Sequence, residues 1–93
     1  MRLTENERKA IRSIIHNLDP NASIYLFGSR VFDYKKGGDI DLLVLSSKIS
    51  DKDRRSIKLK LYEAIGEQKI DLLIAHDTSQ PFVRIALEEG KAI

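Results

Sequence analysis

Two runs of four consecutive apolar residues, Leu42–Leu45 and Leu72–Ala75, are each preceded by an aspartate, Asp41 and Asp71. Four residues are too few for a membrane span, and a run that is apolar at every position needs apolar neighbours on both sides. That requirement is met by a strand in a sheet covered on both faces. Strands are therefore predicted over Asp39–Leu45 and Lys69–Ala75. A third is predicted over Ser23–Phe27, which is β-branched and aromatic and runs into the tight-turn signal Gly28-Ser29.

Helical signals separate the strands. Thr4 followed by Glu7 reads as a capping box, and Ile11, Ile14, Ile15 and Leu18 recur at helical spacing, so a helix is predicted from about Glu5 to about Asn17. Asp19-Pro20-Asn21 stops it. A short helical turn is expected over Arg30 to Tyr34, followed by a Lys35–Gly38 loop. Ser50 and Asp53 offer caps for a helix with Ile57, Leu61, Ala64 and Ile65 on one side and Gly66 at its end, Leu59 lying off that face. Pro81 opens a last helix in which Phe82, Ile85 and Ala86 are expected to face inward before Gly90. The order α-β-α-β-α-β-α carries no repeat and no linker, which predicts one α/β domain over residues 1–93.

With 42% hydrophobic residues and no cysteine, a core must hold this chain without disulfides or thiolate metal sites. Residues 1–8 show no apolar leader segment, so a cytoplasmic protein is expected, with no membrane partner. Sixteen basic against fourteen acidic residues leave +2. That excess gives no reason to expect direct nucleic-acid binding. Six basic residues between Lys48 and Lys60 (Lys48, Lys52, Arg54, Arg55, Lys58, Lys60) face only Asp51 and Asp53, a local +4. Such a run is either a solvated helix face or a surface for an acidic partner or for RNA held by that partner.

The aspartates are the unusual feature. Alternation along a strand puts Asp39 and Asp41 on the same face, with Cα atoms about 6.5–7 Å apart. If the two aliphatic strands are neighbours, Asp71 converges on them. Two like charges about 4 Å apart repel by roughly 4 kcal/mol at an effective dielectric of 20, so a cation is expected there. Hard oxygen ligands suit Mg²⁺. Taken singly, Asp39 reads equally as a turn residue and Asp71 as an acid paired with a lysine. Gly28-Ser29 reads alone as a loop, but glycine after a strand also lets backbone amides approach an anion, with the Ser29 hydroxyl as a further donor. Nine residues separate Ser29 from Asp39, enough to leave one strand and return on the next beside the same edge. His16 lies off the apolar stripe and is expected to face solvent; His76, just after the third strand, is within conceivable reach of a ligand.

Leu26-Phe27-Gly28-Ser29-Arg30, Asp39-Ile40-Asp41-Leu42-Leu43-Val44 and Ile70-Asp71-Leu72 together resemble the minimal nucleotidyltransferases of the DNA polymerase beta superfamily. Their pattern is a Gly-Ser turn, an Asp-x-Asp pair about ten residues on, and a third acid on the following strand. The likeness spans nearly the whole chain. Many relatives place Ser or Pro before the first aspartate, where this chain has Gly37-Gly38. The resemblance implies a mixed α/β (α+β) fold with a three-stranded sheet and about four helices. It also implies transfer of a nucleoside monophosphate, AMP from ATP, to a hydroxyl with release of pyrophosphate. Asp39 and Asp41 would hold two Mg²⁺ ions, Asp71 would share the catalytic one and help activate the hydroxyl, and Gly28, Ser29 and Arg30 would bind the nucleotide.

Small members of this kind resemble the antitoxin half of pairs with HEPN-domain toxins, some of which are adenylylated on a tyrosine. The expected function is that of such an antitoxin. Two alternatives stand beside it: a non-catalytic module that neutralises its partner by contact, and a transferase for a small molecule such as an aminoglycoside. Acceptor, base preference and homo- or hetero-oligomeric state carry no sequence signal.

Overall fold

A computed structural model describes residues 3–28, 40–66 and 68–93 and starts with helix α1 (Glu5–Leu18). Its capping box forms as expected: the Glu7 amide donates to Thr4 Oγ1 at 3.0 Å and the Thr4 amide to Glu7 Oε1 at 2.9 Å. Both interactions satisfy amides that a helix start leaves without partners. After α1 come β1 (Ser23–Phe27), β2 (Ile40–Leu45), a 3₁₀ turn (Asp51–Asp53), α2 (Arg54–Ile65), β3 (Ile70–Ala75), α3 (Pro81–Glu89) and β4 (Lys91–Ala92).

The strands form one mixed sheet in the order β3-β2-β1-β4. β2 pairs antiparallel with β1 and parallel with β3, and β4 pairs antiparallel with β1. A parallel β2–β3 pair needs a crossover, and α2 is that crossover. The sheet is covered on both faces, as the aliphatic runs require. Ile11 and Ile15 of α1 and Ile57 and Leu61 of α2 pack with Leu26, Leu42, Val44 and Leu72 on one face; Val83 and Ala86 of α3 pack on Leu43 on the other, with Phe27 and Leu73 beside them.

A buried carboxylate locks the two turns at the far end of the sheet. Asp19, only 2% exposed, accepts from the Ser46 hydroxyl at 2.5 Å and from the Asn21 amide at 3.0 Å. Ser46 Oγ in turn accepts from the amides of Lys48 and Ile49. These bonds favour the charged form, the Ser46 hydroxyl most, and hold the Asp19 carboxyl below its ordinary range. Nearby, His16 is half-buried, with Nε2 3.1 Å from the Ala22 carbonyl to which it donates, so it joins α1 to the residue just before β1 where a solvent-facing residue was expected.

Three further expectations are corrected. A fourth strand, β4, joins the three expected; its two residues are too few to show an alternation. Phe82 and Ile85 are 57% and 51% exposed; Ala86 is buried as expected, and Val83 is buried beside it. In α3 apolar residues occupy more than one side, so spacing alone does not choose the inward one. Ala64 is likewise exposed, while Tyr62 packs against the core from the flank of α2. Three of the four expected helices are found among the described residues. The turn expected at Arg30–Tyr34 and the Lys35–Gly38 loop lie outside them. No described helix is long and apolar enough to cross a membrane.

Candidate active site

Pairing register brings the carboxylates together. Asp41 lies opposite Phe27 on one side and Asp71 on the other, so Phe27, Asp41 and Asp71 form a row across three neighbouring strands. Strands in a sheet are about 4.8 Å apart, and residues directly in register share a face. The shared face is the one that carries α3, because Leu43 and Leu73, two residues further along each strand, pack in the α3 cluster. The row sits where β1 ends and where β2 and β3 begin.

Gly28, next after Phe27, has φ +75°, a backbone conformation that side chains disfavour. A Cβ there would strike Asp41 Oδ2 and come within 3.1 Å of Asp41 Cγ. The glycine is thus required twice over, by its backbone and by the carboxylate lying against it. The strand-to-turn step leaves room for the Asp41 carboxylate by carrying no side chain of its own.

Asp41 is half-buried and Asp71 exposed. Among the described residues the Asp71 carboxylate has no hydrogen bond and no ion pair, so the lysine pairing considered for it is not seen. Asp41 and Asp71 line one cavity of about 320 Å³ together with Phe27, Phe82, Arg54 and Lys58. Phe82 meets Phe27 edge to face, with ring centroids 6.2 Å apart, and its exposed ring gives the cavity an aromatic wall on which a flat base can stack. Neither ring was singled out by the sequence as a site residue. The signal available was the position of Phe27 immediately before Gly28.

Of the six expected site residues, Gly28, Asp41 and Asp71 come together; Ser29, Arg30 and Asp39 lie outside the described residues. Among the described residues no three metal-ligating side chains cluster. The donor chemistry nevertheless fits a hard divalent cation: two carboxylates in register on a rigid sheet, one of them open to solvent for water or substrate oxygens. His76 is five residues beyond Asp71, about 16 Å along an extended strand, and so lies away from the carboxylates. It lines a larger cavity of about 450 Å³ at the opposite strand ends. There Asp77 is held in a turn by Ser79, whose hydroxyl and amide keep its carboxyl below the ordinary range. Its two acids, Asp51 and Asp77, are each already engaged, Asp51 by Arg54 and Asp77 by Ser79, so it is the lesser candidate despite its size.

Comparison with known proteins adds two findings. The family described as polymerase beta, nucleotidyltransferase, matches residues 9–93. The structure of a tri-AMPylated Shewanella oneidensis HEPN toxin in complex with MNT antitoxin contains a chain similar to this one, with a TM-score of 0.68 and 28% identity. The similarity covers 94% of this chain and 67% of that one. No curated protein sequence matches.

Proposed function

The chain belongs to the polymerase beta nucleotidyltransferase family, and from that membership we propose that it transfers AMP from ATP to a tyrosine hydroxyl of a HEPN-domain partner, acting as the antitoxin of a cytoplasmic toxin-antitoxin pair. The observation that carries this reading is the register of Asp41 with Asp71 against the glycine turn. The identity of the partner is supported by the HEPN toxin in the similar complex, which carries AMP groups.

In the reaction, the acceptor oxygen attacks the α-phosphorus of ATP as the bond from that phosphorus to the pyrophosphate oxygen breaks. Asp39, Asp41 and Asp71 would hold Mg²⁺, two ions in this proposal. Bound there, Mg²⁺ would supply positive charge to the attacking and leaving oxygens. Asp71, exposed at the open side of the cavity, would accept the hydroxyl proton. Asp41, between its two register partners and backed by Gly28, would present its oxygens to the metal from the sheet. The amides at Gly28 and Ser29, with Arg30, would bind the phosphates that depart as pyrophosphate. No histidine is required.

The test uses purified chain, Mg²⁺, α-labelled ATP and the HEPN-domain protein encoded beside it. Label is expected on that protein, on tyrosine, and is expected to be lost with Asp41→Asn or with chelator. An active, correctly folded partner that stays unlabelled would remove the proposal. Neutralisation of the partner by Asp41→Asn at wild-type strength would point instead to inhibition by contact.

A further inference from the structure

The basic run on α2 reaches the site. Arg54 and Lys58, four residues apart and hence on one flank of the helix, both line the cavity that holds Asp41 and Asp71. They also line an adjoining groove of about 430 Å³ that continues along α2 past Leu59 to Tyr62. β3 is an edge strand, so the cavity passes round it from the α3 face, where Asp71 stands, to the basic flank of α2 on the other face. The order across the site is therefore Gly28 and Phe27, then Asp41, then Asp71, then the two cations.

Neither cation neutralises the site. Arg54 is paired with Asp51 through one terminal nitrogen, at a half-exposed position, and its Nε has no hydrogen-bond partner. Lys58 is half-buried and makes no ion pair among the described residues. A guanidinium has five N–H donors and an ammonium three, so most of this donor capacity remains for a ligand.

We infer that Arg54 and Lys58 form an anion subsite on the acceptor side of the transfer site. This rests on the function proposed above, which puts the ATP phosphates at the glycine turn on β1 and leaves the β3 side to the incoming hydroxyl. An acceptor with a negative group close to its hydroxyl is repelled by Asp41 and Asp71, and the two cations offset that repulsion and orient the approach. Two sources carry such an anion. One is a carboxylate beside the hydroxyl on the protein. The other is the phosphodiester of an AMP already attached, when a ribose hydroxyl of that AMP becomes the next attacking oxygen and a second pyrophosphate is released.

Arg54→Gln/Lys58→Gln in the full chain tests this against the unmodified HEPN-domain protein, with three measurements: binding of a fluorescent ATP analogue, the apparent KM for the partner, and the intact mass of the product. Binding of the nucleotide is expected within about twofold of wild type. An increase of about tenfold or more in the KM for the partner supports the subsite and identifies a carboxylate. First addition at the wild-type rate with arrest before the second supports it and identifies the phosphodiester. Arg54→Lys/Lys58→Arg is expected to restore either behaviour. Unchanged partner kinetics and an unchanged product series overturn the inference, as does a defect confined to ATP binding. If the wild-type chain transfers nothing, the parent proposal falls. The subsite is then decided by titrating the partner without ATP, where weakened binding by the variant supports it and equal binding overturns it.

Discussion

Gly28→Ala separates the two demands made on that glycine. The backbone demand comes from φ +75°, where a Cβ costs about 1–2 kcal/mol. For a domain of this size each kcal/mol lowers Tm by roughly 4–8 °C, giving an expected fall of roughly 4–16 °C. The second demand is local: the new methyl group occupies the position of Asp41 Oδ2, so that carboxylate must turn away by a distance on the order of 1 Å. Such a displacement of a positioned group costs about 10²-fold in rate. Gly66→Ala provides the control. Its φ is +90° and nothing lies within 4 Å of the added Cβ, so it bears backbone strain without touching the site. Thermal melts are to be read beside Mg²⁺-dependent transfer at a temperature where both variants are folded. Gly66→Ala should lower Tm yet transfer at nearly the wild-type rate, whereas Gly28→Ala should lose both. Equal activity of the two, or a Gly28→Ala protein with wild-type Mg²⁺ dependence, would refute the claim that the glycine exists to seat the carboxylate.

Asp71→Asn removes one of two adjacent negative charges, so without metal its Tm should match or slightly exceed wild type while transfer falls by at least about 10²-fold; a calorimetric melt and the labelling assay decide this. Asp19 titrates with a depressed pKa in the folded state, so its stabilising contribution is complete above the ordinary carboxylate value of 3.8 and is lost as pH falls below it through the folded value. Replacing Ser46 by alanine removes the principal cause of that depression, so the variant's acid-unfolding midpoint, followed by circular dichroism, should move to higher pH. Gly90→Ala places a Cβ 3.0 Å from the Leu26 carbonyl oxygen and closer still to that of Ala86; neither backbone atom can give way easily, and a lower Tm is expected.

The elements that could be read from sequence are those whose signal is local. The capping box at Thr4 and Glu7 and the stop at Asp19-Pro20 depend on neighbours a few residues away, and α1 forms within one residue of the predicted limits. Strand positions were legible because continuous apolar runs have few alternatives. What α3 buries was legible only at Ala86. Phe82 and Ile85 carry more apolar surface than Val83, yet it is Val83 and Ala86, three residues apart on one face of the helix, that pack on Leu43. Likewise β4 exists because a neighbouring strand offers Tyr25 and Leu26 as pairing partners, which two residues of sequence cannot announce.

The site divides along the same line. Asp41 and Asp71 were recognisable as misplaced acids at the heads of aliphatic strands, but their meeting depends on register. One residue of slip between β2 and β3 would send Asp71 to the α2 face among Ile57 and Leu61. The observed register is enforced by burial: Leu42 pairs with Leu72 and Ile40 with Ile70 on the α1–α2 side, where a slipped strand would bury a charge. The aliphatic residues that make these strands recognisable therefore also aim the carboxylates. Arg54 and Lys58 follow from the same packing, since Ile57 and Leu61 set the rotation of α2 and so direct the basic flank toward the β3 edge. A substitution that rotated α2 while preserving its buried surface should weaken use of the acceptor before it weakens the fold.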